Sequence, residues 1–135
     1  MNITKFTKFS TILSWMLLIF LTSSIAVAED DPNRIKEWYE YFYDKDTHLL
    51  LFGILAYFII SFLKEYKFKF YHIGLFAIFF CAFYGITDEW HQGFTAGRGV
   101  SYWDLTFDAI GAIAGVFFYQ IFFPIEYGNK TKRKK

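Results

Sequence analysis

The residues of this chain that can do chemistry fall into four short clusters. Asp44-Lys45-Asp46-Thr47-His48 is the first. Asp44 and His48 are four residues apart, a spacing that puts both on one face of a helix. The bland alternative is that Asp44 or Asp46 caps a helix beginning there, with His48 as an interfacial anchor. The second cluster, Asp88-Glu89-Trp90-His91-Gln92, follows a long apolar run. Read as the end of that helix, it sets two carboxylates against the negative end of the macrodipole, where a cation would be favoured by some tenths of a kcal/mol. Asp88 and Glu89 therefore need a counter-charge, solvent or a task. Gln92 is at helical-neighbour spacing from both.

Gly97-Arg98-Gly99 is the third cluster. The Arg98 guanidinium is a planar fork suited to a carboxylate or a phosphate, and it is the natural counter-ion for Asp88, Glu89 or an anionic headgroup. In the fourth cluster, Ser101 and Asp104 have capping-box spacing. Asp108 lies one turn deeper, beyond the reach of any cap, with Gly111, Ala112 and Gly115 continuing roughly the same face. Gly111 and Gly115 form a GxxxG pattern that permits close helix approach or self-association. A carboxylate at that depth is a functional candidate by default.

The candidate pocket is thus Asp44, Lys45, His48, Asp88, Glu89, Gln92, Arg98, Asp104 and Asp108. Five of these are acids and two are cations, so convergence would require protonated carboxylates, a charged His48, or a bound cation or amine. A metal variant would draw on His48, Asp88, Glu89 or His91. The chain has no H-E-x-x-H and no dense His/Cys pattern, so neither a metal nor another cofactor is expected.

These clusters punctuate four apolar stretches: about Phe9 to Ala28, His48 to Leu63, Phe70 to Thr87, and Leu105 to Ile125. The 135 residues are 55% hydrophobic and 24% aromatic, more apolar surface than so small a soluble domain can bury. A spanning helix needs about 20 apolar residues, and strand-like alternation is missing. The fold class expected is all-α, a multi-pass transmembrane helical bundle of four spans. Ala26-Val27-Ala28 also reads as a signal-peptidase site, and cleavage there would leave three spans. The single cysteine, Cys81, lies in an apolar run, where it serves as a small hydrophobe.

Ten of the fourteen Lys and Arg residues lie before the first stretch, between the second and third, or in the tail. By the positive-inside rule both termini are then cytoplasmic, and every polar cluster faces outward from a bacterial inner membrane. The expected organisation is an N-terminal span or signal segment (1–28), an outer connection (29–47), a three-helix membrane core (48–126) and a basic cytoplasmic tail (127–135). The tail is topogenic and attracted to anionic lipid. With no folded basic domain beside it, nucleic acid is not an expected partner.

The order Asp44-Lys45-x-x-His48, Tyr84-Gly85, Asp88-Glu89-x-x-Gln92-x-Phe94, Arg98, Asp104 and Gly111 resembles the VanZ-like membrane proteins, over about Asp44 to Gly115. The resemblance implies a bacterial multi-pass protein of the cell envelope, from a family whose founding member is linked to teicoplanin resistance. It does not supply a mechanism. One departure is Asp108, where many relatives are expected to carry Asn. The function expected is engagement of a lipid headgroup, a cell-wall lipid or an amphiphilic drug in the outer polar pocket. Tyr84, Trp90, Phe94, Tyr102 and Trp103 would shape its mouth. The alternative is an intramembrane hydrolase or transferase acting on such a lipid, with Glu89 or Asp88 as base, His48 as acid–base partner and Arg98 stabilising developing charge. A third reading makes the charges and small residues purely structural.

Overall fold

In lipid every backbone polar group must find its partner inside the protein, so a long apolar run becomes a helix. A computed structural model describes residues 3–26, 38–66 and 68–124, with side chains in the second stretch from residue 45 onward. It contains four helices: α1 Ile3–Ser23, α2 Trp38–Leu63, α3 Phe70–Gln92 and α4 Tyr102–Phe122. A short 3-10 turn, Lys64–Tyr66, follows α2. All four helices are long and apolar enough to cross a membrane, the second through its Lys45–Tyr66 portion.

The helices alternate in direction, and α2 is the central one. Its Phe52, Leu55, Ala56, Ile59 and Ile60 are buried. The Trp15 indole donates to the Leu51 carbonyl at 2.9 Å, tying α1 to α2. The Tyr84 hydroxyl donates to the Met16 carbonyl at 2.7 Å, tying α3 to α1. Cys81 is buried with its thiol directed at the Phe52 carbonyl. The widest contact is between α2 and α4, which run parallel. It rests on missing side chains: a Cβ at Gly111 would run into the Leu49 carbonyl, and one at Gly115 into that of Gly53. The GxxxG face is therefore occupied within the chain.

Outward-facing residues include Phe76, Phe79, Phe83, Phe117, Phe118 and Ile121, all exposed. On a soluble protein such a belt would aggregate; in a bilayer it is the lipid contact. At one end of the bundle Lys8 pairs with Glu65 at 2.5 Å and donates to the Ser61 carbonyl at 3.0 Å. The chemistry-bearing clusters gather at the opposite end.

At the polar end, three helix boundaries among those that differ from the apolar runs lengthen a helix; α1, by contrast, starts at Ile3 and ends at Ser23, and α4 ends at Phe122. The helix α2 starts at Trp38, well before His48, α3 continues to Gln92 rather than Thr87, and α4 starts at Tyr102 rather than Leu105. An apolar run measures only the lipid-facing length, whereas backbone hydrogen bonding continues past it through charged and aromatic residues. Asp44 and Asp46 are thus inside α2 and cannot be its N-caps. Asp88 and Glu89 belong to the last turns of α3 itself.

Candidate functional site

At the polar end, α3 stops at Gly93, whose amide donates to the Glu89 carbonyl at 3.2 Å, while the Phe94 amide donates to that of His91 at 3.0 Å. A turn carrying Gly97 at φ 75° then reverses the chain, a left-handed conformation that glycine adopts without strain. Ser101 caps α4, its hydroxyl accepting the Asp104 amide at 3.3 Å. Half of the expected capping box is therefore present. The other half is not: the Ser101 amide donates to Glu89 Oε2 at 2.6 Å, leaving the Asp104 carboxylate for Lys45 of α2.

This exchange explains the two acids at the unfavourable end of α3. Glu89 sits there by sequence, but its carboxylate meets the first turn of α4, where the partial charge is positive. Asp104, in that same first turn, gains likewise and adds the Lys45 ammonium. Glu89 is buried, and its Oε1 has no hydrogen-bond partner among the described residues.

Asp108 is fully buried one turn further along α4. Its Oδ1 meets His48 Nδ1 at 2.9 Å. An ionised carboxylate accepts, so the hydrogen of this bond belongs to Nδ1; when the ring is neutral, Nε2 is then its lone-pair nitrogen. Space for the Asp108 carboxylate exists because α3 presents Gly85 there: an added Cβ would stand 2.6 Å from Asp108 Oδ2. That Oδ2 has no hydrogen-bond partner among the described residues.

Asp88 faces α1. Its Oδ2 accepts from the Ser23 hydroxyl at 2.8 Å and from the Gln92 amide at 2.9 Å. The pairing of Asp88 with Gln92 follows the helical spacing, while Gln92 makes no such bond to Glu89. For Arg98 an acid or an anionic headgroup is the expected partner. Among the described residues it has no ion pair; its Nη1 donates to Gln92 Oε1 at 3.3 Å and its Nε to the Ile25 carbonyl at 3.1 Å. Gln92 thus stands between Arg98 and Asp88, relaying one to the other through both ends of its amide.

Between α1, α2 and α3 this arrangement encloses a cavity of about 330 Å³. Its polar wall is Thr22, Ser23, Thr47, His48, Asp88 and Arg98, and its apolar wall is Ile19, Ile25, Leu51 and Phe52. Glu89, Asp104 and Asp108 lie outside that lining, and His48 borders both groups. Within the second group, His48, Glu89 and Asp104 each bring one donor atom to within 4.8 Å of the others.

Of the candidate residues, the structure brings together Lys45, His48, Glu89, Asp104 and Asp108 on one side, and Asp88, Gln92 and Arg98 on the other. Asp44 lies on α2, but its side chain is outside the described residues. His91 turns toward α1 instead, stacking on Phe20 with its Nε2 3.0 Å from the Ser24 hydroxyl. Trp90, Phe94, Tyr102 and Trp103 are exposed around the polar end. Tyr84 is not part of that rim, because it is a turn deeper and bonded to α1. Ser23 and Thr22 are site residues that the sequence reading passed over. The polar run Thr22-Ser23-Ser24 at the end of an apolar stretch was their signal.

A family model described as VanZ/LLP1 matches residues 6–123, taking in α1 as well as the stretch from Asp44 to Gly115. No curated protein matches the chain, and no solved structure does.

Proposed function

This chain belongs to the VanZ/LLP1 family, and we propose that it binds the headgroup end of an anionic lipid or lipid-linked envelope molecule in the cavity between α1, α2 and α3. The observation that carries this reading is the cavity's divided wall. Arg98 offers a guanidinium to a phosphate, Asp88 and the hydroxyls of Ser23 and Thr47 take an amine or sugar hydroxyl, and Leu51 and Phe52 meet the first methylenes of a chain. In this reading the pocket opens at the outer face of the bacterial inner membrane, with both termini inside, a placement that the distribution of Lys and Arg supports. An amphiphilic drug such as a lipoglycopeptide fits the same description, which connects the pocket with the teicoplanin resistance of the family's founding member.

Binding of a short-chain phosphatidylglycerol to the purified protein tests this, with Trp15 beside Leu51 as fluorescent reporter. Saturable binding weakened by Arg98→Gln, and left alone by Lys64→Gln at the far end, supports it. Unsaturable partitioning, identical in both variants, defeats it.

A second reading is favoured by one observation, the His48 ring held by Asp108. A histidine oriented by a buried carboxylate beside Glu89 is a general acid–base arrangement. It makes the protein a hydrolase or transferase acting on the bound lipid. Chemical change of a lipid substrate, abolished by His48→Gln, separates it from simple binding.

A further inference from the structure

His48, Glu89 and Asp104 come from three different helices, yet one donor atom of each lies within 4.8 Å of the others, and all three residues are buried. Helices α2, α3 and α4 each contribute one, which is how a bundle builds a metal centre in its core. A second observation concerns hydrogen bonding rather than distance: Glu89 Oε1 is enclosed with no hydrogen-bond partner among the described residues. A buried carboxylate oxygen without a donor is costly, and a cation removes the cost. A third is the His48–Asp108 contact at 2.9 Å. A histidine that ligates a metal through one nitrogen typically donates its other N–H to a carboxylate, which fixes the tautomer and aims the lone pair.

The charge balance agrees. Among the described residues, the buried carboxylates at this end are Asp88, Glu89, Asp104 and Asp108. The cations beside them are Lys45, on Asp104, and Arg98, beside Gln92. Over these residues, with a neutral His48, the sum is two negative charges in excess, which one divalent ion cancels.

We infer that His48, Glu89 and Asp104 bind a divalent transition-metal ion of the zinc or manganese type, with Asp108 as the residue that positions the His48 ring. One imidazole and two carboxylates form a mixed nitrogen and oxygen set suited to these ions. Donors at about 2.0–2.2 Å from zinc stand at most about 4.4 Å apart, so closing the site takes only a small rotation of side chains. Three protein ligands leave a coordination position for water or for an oxygen of a bound molecule. His48 also borders the cavity, so the ion would lie one side chain away from the proposed headgroup. The inference does not depend on the headgroup reading: metal binding and lipid binding are separate measurements, and either can fail alone.

The test uses the full chain, purified in detergent and stripped with a chelator, then titrated with Zn2+, Mn2+ and Co2+. Wild type should bind one equivalent, and bound Co2+ should show the visible absorption of a nitrogen and oxygen site. The melting temperature should rise with metal concentration, because an ion that binds only the folded state stabilises it. His48→Gln and Glu89→Gln should each weaken binding by more than about tenfold, and Asp108→Asn by about 10–100-fold, as loss of such an orienting partner does. His72→Gln and His91→Gln should bind as wild type does. If a cluster variant fails to fold, wild-type stoichiometry and the Co2+ spectrum still decide. No saturable binding by wild type overturns the inference. So does binding that survives both His48→Gln and Glu89→Gln, or that disappears with His72→Gln or His91→Gln.

Discussion

Glu89, at the end of α3, accepts the backbone N–H of Ser101 at 2.6 Å and so completes the N-terminal cap of α4. Two helices that are consecutive in sequence are joined here by one carboxylate. It satisfies an orphan amide of the second helix at a position where the first would reject it. The same residue carries the partnerless oxygen that turns toward chemistry.

Loss of this cap gives the first prediction. Glu89→Ala should lower stability in detergent by about 1 kcal/mol or more, the usual cost of deleting a helix cap. Glu89→Gln retains a carbonyl acceptor for Ser101 and should melt close to wild type. Because Arg98 bonds to Gln92 and Ile25 and not to Glu89, the effects of Glu89→Ala and Arg98→Gln should add. A double variant no less stable than Glu89→Ala alone would show a coupling that these contacts do not contain.

Gly85 sets the second. A methyl group there would stand 2.6 Å from Asp108 Oδ2, so Gly85→Ala should displace Asp108 and loosen its hold on His48. Gly111→Ala and Gly115→Ala should instead push α4 away from α2. Each should destabilise by about 1–3 kcal/mol, the range for overpacking a close contact. Gly99→Ala is the control, since nothing lies within 4 Å of the added carbon. Equal melting temperatures for Gly99→Ala and Gly111→Ala would contradict the α2–α4 packing.

The third concerns orientation. Cys81 is buried, so introduced cysteines can be labelled without a background signal. Thr95→Cys, in the turn between α3 and α4, should react with an impermeant reagent from outside the cell. Lys69→Cys, just before α3, should react only after the inner face is exposed. The opposite pattern would invert the bundle and place the cavity in the cytoplasm.

The fourth concerns α1. Ser23 donates to Asp88, and Ile19, Thr22 and Ile25 help wall the cavity. A protein that uses the cavity keeps this helix. The intact mass of the membrane-extracted protein should therefore include residues 1–28, and a mass corresponding to cleavage after Ala28 would remove one side of the proposed pocket.

What the sequence made legible was local. The four spans follow from apolar length, Asp88 with Gln92 from four-residue spacing, and the Ser101 cap from its place before an apolar run. Contacts between helices were out of reach. Lys45 with Asp104 and His48 with Asp108 are about 60 positions apart, and which faces meet is decided by packing, here by the glycines between α2 and α4. Arg98 shows the same limit. Opposite charge made an acid or an anionic headgroup its expected partner, and within the chain the turn after α3 delivers it to an amide and a carbonyl. Ser23 was hidden because the segment that holds it also reads as removable.

The most direct test of the headgroup pocket is native mass spectrometry of the protein extracted from its own membrane. Wild type should retain a lipid or lipid-linked adduct whose mass identifies an anionic headgroup. Arg98→Gln and Asp88→Asn should lose most of that adduct while staying folded, and Lys64→Gln should keep it. Retention of the same adduct by all four proteins, or by none, would contradict the account.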